Sequence, residues 1–181
     1  MGKMVSGGQS LMSQKLSFQE AIAKSAEWIR LWDGEELSDD VLADAIGMLV
    51  KERDGARGFF VAALTGESPL MDRLPEALIQ QLRLAGEGVV DLTVRNLAMS
   101  TAMIVTHQRN KDEDMLAGSL RVQSRCFDLL RQLDSAQVKK RLEKMMAGLD
   151  LEGEDREFIE RWGYDQQQQR EIREAIWKVA T

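Results

Sequence analysis

The stretch from Val89 to Asn110, VVDLTVRNLAMSTAMIVTHQRN, constrains this chain more than any other, because eleven consecutive residues between Asn96 and Thr106 carry no charge. A segment this apolar has to be covered by something. Its β-branched residues, Val89, Val90, Thr93, Val94, Ile104, Val105 and Thr106, would suit a pleated surface. Strands, however, usually run to about 5 or 6 residues between turn signals, and this run has no internal turn signal. It predicts a central helix over 89–110, with Ala98, Ser100, Thr101 and Ala102 letting neighbouring backbones come close. Passage through a membrane is not expected. Asp91 and Arg95 on one side, with His107 and Arg109 on the other, leave far fewer uncharged residues than the roughly 20 a bilayer requires.

The rest of the chain is permissive for helix. Only two prolines occur, both in the short connection 69–75, and the glycines fall mainly between periodic segments. With 181 residues, 44% of them apolar, one domain with a substantial core is expected. The class reads as all-α. The expected architecture is a compact single-domain helical bundle of about seven helices over 16–181, around the central helix, preceded by a mobile N-terminal arm over 1–15. No fixed-period repeat supports a solenoid.

Helix starts are written into the sequence. Ser17 followed by Glu20 forms a capping box ahead of Phe18, Ile22 and Ile29, and Ser38 with Asp39 and Asp40 opens a second helix. Gly55 and Gly58 are expected to interrupt its continuation, leaving Phe59 to Leu64 in a kinked extension or a separate short helix that Gly66 closes. Pro75 suits a first helical position, and Gly86 and Gly88 break that helix before the central one. The NKDED turn at 110–114 leads into a helix over 115–133, and Ser135 caps the next. Asp165 with Gln168 opens the last helix, in which Ile172, Ile176, Trp177 and Val179 are the expected buried residues.

Charge is unevenly spread. Eight acidic residues between Asp33 and Asp54 face only Lys51 and Arg53, so this segment carries −6, the net charge of the whole chain. An acidic chain with pI near 5.0 is a poor binder of nucleic acid, because phosphate contacts supply most of that affinity. Asp39, Asp40 and Asp44 are expected on a solvated face that can also meet a protein partner.

The lone cysteine, Cys126, excludes an internal disulfide and fits a reducing, cytoplasmic setting. Met1-Gly2 with Ser6 matches a myristoylation pattern that fixes too few positions to outweigh chance. Nothing in the sequence requires a cofactor or a metal. The only histidine, His107, lacks the Glu of a Glu-x-x-His pair, and Asn110, Asp112 and Asp114 begin a calcium-loop spacing that Met115 and Arg121 then break.

Folding 89–110 back on 115–133 about residues 111 and 112 supplies a register. Position 107 then faces about 116 and Cys126 faces about 97, which separates the thiol from His107 by roughly 15 Å and removes a catalytic pair. The same count sets Arg95 opposite Asp128, with Asp91 one turn away on Arg95's own helix, as a buried structural ion group. Arg121 and Arg125 would look across at Ala102 and Ala98. With Arg95 and Asn96 they could line a pocket for an anionic ligand.

Two functions are therefore expected from different classes. The first is a non-enzymatic helical adaptor or regulatory protein acting through protein–protein contacts, with Trp162, Tyr164 and Trp177 as interface-type aromatics and Met99, Met103, Met145 and Met146 as either core filler or an adaptable groove. The second is a binding protein or enzyme with an arginine-lined pocket beside the central helix. A protein partner is expected, nucleic acid and membrane are not, and homo-oligomerisation is left open.

Overall fold

The computed structural model describes residues 15–181, so nearly all of the expected 1–15 arm lies outside the described residues. Among the described residues there are nine α-helices, a 3₁₀ turn and no strand. They are α1 Phe18–Asp33, α2 Asp39–Leu49, α3 Arg53–Thr65, the 3₁₀ turn Pro69–Asp72, α4 Glu76–Ala85, α5 Glu87–Asn110, α6 Glu113–Gln132, α7 Ser135–Leu149, α8 Arg156–Trp162 and α9 Gln166–Ala180.

The count exceeds the expected seven in part because Phe59 to Leu64 belong to a full helix of their own, α3, separate from α2. Gly55 and Gly58 do not interrupt a helix; both lie inside α3 and are buried. A Cβ on Gly58 would come within 2.4 Å of the Ala21 Cβ and 2.8 Å of the α1 backbone, so this glycine is where α1 and α3 touch. Packing, not chain reversal, is its purpose.

The caps are those that the hydroxyl and carboxylate spacings imply. Ser17 accepts from the Glu20 amide while Glu20 reaches back to the Ser17 amide, and Asp165 and Gln168 do the same for α9. Ser38 caps α2. For α7 the cap is Asp134, one residue earlier than expected, its carboxylate accepting from the Gln137 amide at 2.9 Å. Gly86 separates α4 from α5 with φ 71° and ψ −139°, a backbone conformation open essentially to glycine alone.

The central helix is α5, and α3, α4, α6, α7 and α9 pack around it. Val90, Val94, Leu97, Ala98 and Ala102 are almost wholly buried. Among the described residues α5 is the one helix long and apolar enough to cross a bilayer by length and composition, and 61% of that stretch is buried inside the protein. One contiguous core links residues from α1 to α9, running from Ala21 through Phe59, Leu78, Leu97 and Leu129 to Ile172 and Ile176.

α9 is tied to the second half of α5 by specific bonds. Gln168 donates to the Ala102 carbonyl and to the Thr106 hydroxyl, both at 3.1 Å, and Arg109 donates to Asp165 and Gln167 at 2.6 Å each. The Arg109 guanidinium and the helix-start amides hold the Asp165 carboxyl down at about 2.

Candidate functional site

Two concave surfaces flank α7, one apolar and one charged. The apolar groove, about 1000 Å³, runs between the end of α6, α7 and the end of α9. It arises because Val138, Leu142 and Met146 recur at helical spacing along α7 and face Ile176 and Val179 of α9, with Leu133 closing one end. Beside them stands Trp177, 61% exposed. An indole left in water on an apolar groove is a large unburied hydrophobic surface with a polar handle. The expectation that Trp177 is buried in the core is thus corrected: Ile172 and Ile176 form the buried stripe, and Trp177 lies on its edge, turned about 100° from Ile176.

The groove rim is polar and bipolar. Arg131 and Lys139 mark one end and Asp150 and Glu152 the other, with Glu143 between them, one turn from Lys139, and Asp150 paired to Arg173. From Lys139 to Asp150 the spacing along α7 is about 16 Å, or three helical turns.

The charged cleft, about 320 Å³, lies between the first half of α5, α7 and the start of α8. Its wall is a chain of four charges. Arg141, 9% exposed, forks onto Asp155, 3% exposed, with bonds of 2.6 and 2.9 Å. The Arg141 Nε donates to Asp91 at 2.8 Å, and Asp91 also accepts from the Arg95 Nε at 3.3 Å. The Arg95 guanidinium lies over the Phe158 ring, 5.4 Å from its centroid. Tyr164 meets the same phenyl edge-on at 6.3 Å, and burial pushes its hydroxyl up to about 12.

The sequence-predicted residues divide between these surfaces and elsewhere. Arg95 and Asp91 do pair, but at 40% and 38% exposure the pair is not buried, and Asp128 does not join it; the nearest cation to Asp128 is Arg131 on its own helix, at 3.8 Å. The axial register was nearly right, since Gln123 donates to the Thr101 hydroxyl at 3.0 Å, one residue from the expected pairing. Rotation is what fails. Asp128 sits about 200° around α6 from the fully buried Cys126, and Arg95 points toward α7 and α8 instead of α6.

Arg125 is corrected most strongly. It does not look across at α5; it is 1% exposed and turned toward α3 and the 3₁₀ turn. Its guanidinium forks onto Asp72 at 2.9 and 3.1 Å and donates to the carbonyls of Ala63, Leu64, Gly66 and Ser68. Three of those carbonyls close the C-terminus of α3, where a cation is favoured and backbone acceptors lack partners. The Arg125 hydrogen bonds hold the Asp72 carboxyl below its ordinary value, and Arg121, exposed on α6, adds its field to the same carboxylate. Asn96 donates to the Leu92 carbonyl of its own helix at 2.8 Å. The set Arg95, Asn96, Arg121 and Arg125 therefore does not converge on one pocket.

Asp39, Asp40 and Asp44 are all exposed on α2. Asp39 also accepts from the Trp32 indole at 2.7 Å, which anchors the start of α2 to α1. Of the methionines, Met145 is fully buried, Met146 lines the groove, and Met103 is 39% exposed away from it. Cys126 is fully enclosed and burial raises its thiol well above the ordinary range, so it stays protonated and inert.

Sequence reasoning missed Arg141 and Asp155 as partners. Arg141 lies in a run of exposed basic residues, Lys139, Lys140 and Lys144, and only the inward phase of Val138, Leu142 and Met145 marks it as half-turned to the core.

The model of the family described as uncharacterised conserved protein UCP020893 matches residues 17–179, from the cap of α1 into the last turn of α9, and the chain belongs to that family. Among curated proteins and among solved structures, nothing matches.

Proposed function

We propose that this protein is a non-enzymatic helical adaptor or regulatory protein of the cytoplasm that binds a helical segment of a protein partner in the α6–α7–α9 groove. The observation that carries this reading is Trp177, 61% exposed beside an apolar groove of about 1000 Å³. Tryptophan is the side chain most often found to dominate an interface, and a groove walled by two helices accepts the apolar face of a third. The groove floor of Val138, Leu142 and Ile176 is almost wholly buried, so the apolar surface left for a partner helix is Trp177 with the half-buried Met146 and Val179. The rim favours one direction: acidic residues near Arg131 and Lys139, basic residues near Glu152 and the Asp150 that Arg173 already pairs.

Protein is favoured over other partners on charge and burial. The net charge of −6 opposes binding to phosphate backbones. The acidic face of Asp39, Asp40 and Asp44 steers encounter with basic surfaces, and a second copy of the chain remains one form the partner can take.

The test is parallel capture with the wild type, Trp177→Ala and Trp162→Ala. Trp162 is 53% exposed and lies outside the groove, so it serves as the control. A protein retained by the wild type and Trp162→Ala but lost by Trp177→Ala supports the reading. Capture that ignores Trp177 overturns it.

A further inference from the structure

We propose that the charged cleft between α5, α7 and α8 is a binding site for a small zwitterion, with the ligand's phosphate or carboxylate held by Arg95, Lys140 and Lys144 and its ammonium held by Glu87 and Glu154. This goes beyond the adaptor reading and uses the opposite flank of α7.

The argument begins with which charges are already committed. Arg141 has all three edges engaged, two on Asp155 and one on Asp91; Asp155 is matched on both oxygens, whereas Asp91 takes its bonds from Arg141 and Arg95 on one oxygen, Oδ1. That network builds the wall, with Arg141 and Asp155 fully committed and the Asp91 Oδ2 left open on the ammonium side of a zwitterion. Arg95 is different. Only its Nε is bonded, to Asp91, and the guanidinium lies over the Phe158 ring, 5.4 Å from the centroid. Its two Nη groups have no protein acceptor among the described residues, and the side chain is 40% exposed at the cleft.

Lys140 and Lys144 stand one turn apart on α7 and both line the cleft. Like charges at this spacing repel. Among the described residues neither has a carboxylate within 4.0 Å, although Glu87 and Glu154 line the same space and are themselves without a cation at that distance. Charges of both signs thus share one small cleft and do not neutralise one another directly. A simple anion would bring its charge toward Glu87 and Glu154, and a simple cation toward the lysines. A ligand carrying both signs answers both halves. The volume of about 320 Å³ is at the small end of ligand pockets, which suits a compact molecule. The ion-paired wall holds Arg95 in place through Asp91, while the lysines and glutamates are exposed side chains around it.

The experiment is isothermal titration with O-phosphoethanolamine and β-alanine as phosphate and carboxylate zwitterions, and with inorganic phosphate and ethanolamine as the separate halves. At least one zwitterion binds saturably, about tenfold or more tighter than either half, the usual worth of one charge-assisted contact. Lys140→Ala and Lys144→Ala each weaken that zwitterion about tenfold. Glu87→Gln with Glu154→Gln brings it down to the level of inorganic phosphate without weakening phosphate itself. All four side chains are exposed, and unchanged thermal melting shows that the fold is intact. No saturable binding of either zwitterion, indifference to the lysine changes, or inorganic phosphate binding as tightly as O-phosphoethanolamine would each overturn the proposal.

Discussion

Replacing Arg125 with Met should be among the most damaging single changes in the molecule, and the structure says how damaging. The methionine fills much of the vacated space but donates no hydrogen bond, so the carbonyls of Ala63, Leu64, Gly66 and Ser68 and the carboxylate of Asp72 all lose a partner. The Asp72 side chain is 50% exposed and can rehydrate, so its share is small. Each carbonyl left dry is worth about 1 to 3 kcal/mol, so even if water reaches half of the four the loss comes to about 2 to 6 kcal/mol. Asp72→Asn is the contrast. The guanidinium keeps its four carbonyls and an Asn oxygen but loses its counter-charge while 1% exposed, so this change should cost about 1 to 3 kcal/mol, toward the low end because Asp72 itself is half-exposed. Arg125→Lys should resemble the methionine more than the wild type, because one ammonium cannot replace a planar fork reaching two sides. Urea unfolding followed by helical circular dichroism measures all three, with an unchanged m-value confirming a true stability difference. The pH dependence gives a second readout. The Asp72 carboxyl is held below 3.8, so its contribution is fully present above that value and lost as pH falls through the folded value. The gap between wild type and Asp72→Asn should therefore close in acid. Arg125→Met costing no more than Asp72→Asn would refute the reasoning.

Three other outcomes follow from particular contacts. Arg141→Ala should cost about 3 to 5 kcal/mol by leaving Asp155 buried and unpaired, whereas Arg95→Ala, in a pair about 40% exposed, should cost less than about 1 kcal/mol; thermal or urea unfolding that reverses this order would be contrary. Gly58→Ala should destabilise by about 1 to 3 kcal/mol because its Cβ would strike α1, while Gly118→Ala, with nothing within 4 Å, should stabilise by about 0.5 to 1 kcal/mol; equal signs in melting experiments would contradict the packing. Ser17→Ala should cost about 1 kcal/mol, and Asp165→Ala should cost more at neutral pH, since Asp165 both caps α9 and binds Arg109; as pH falls toward about 2 the Asp165 difference should vanish in acid titration of stability.

The sequence was informative where one residue decides one local event. Ser17, Ser38 and Asp165 cap helices because a side-chain acceptor two or three residues ahead of a free amide has only one use, and the central helix follows from an apolar run too long for a strand. It was uninformative about rotation. Counting from the NKDED turn placed 101 within one residue of its true partner, yet the direction of Arg95, Asp128 and Arg125 depends on how each helix is turned about its axis, and that is settled by the packing of all its neighbours. Gly55 and Gly58 misled for the same reason: a glycine in a helix reads as a break until the partner that fills its missing Cβ is known. Trp177 shares the apolar period of α9, and only the position of α7 decides that the indole stays outside.

The central claim is that the groove beside Trp177 receives a protein. Hydrogen–deuterium exchange of the wild type, alone and with the partner retained in capture, tests it most directly. Protection confined to the facing parts of α7 and α9, together with loss of that protection in Trp177→Ala, is the predicted result. Protection over the acidic residues 39–54 instead, or the same protection in Trp177→Ala as in the wild type, would contradict it.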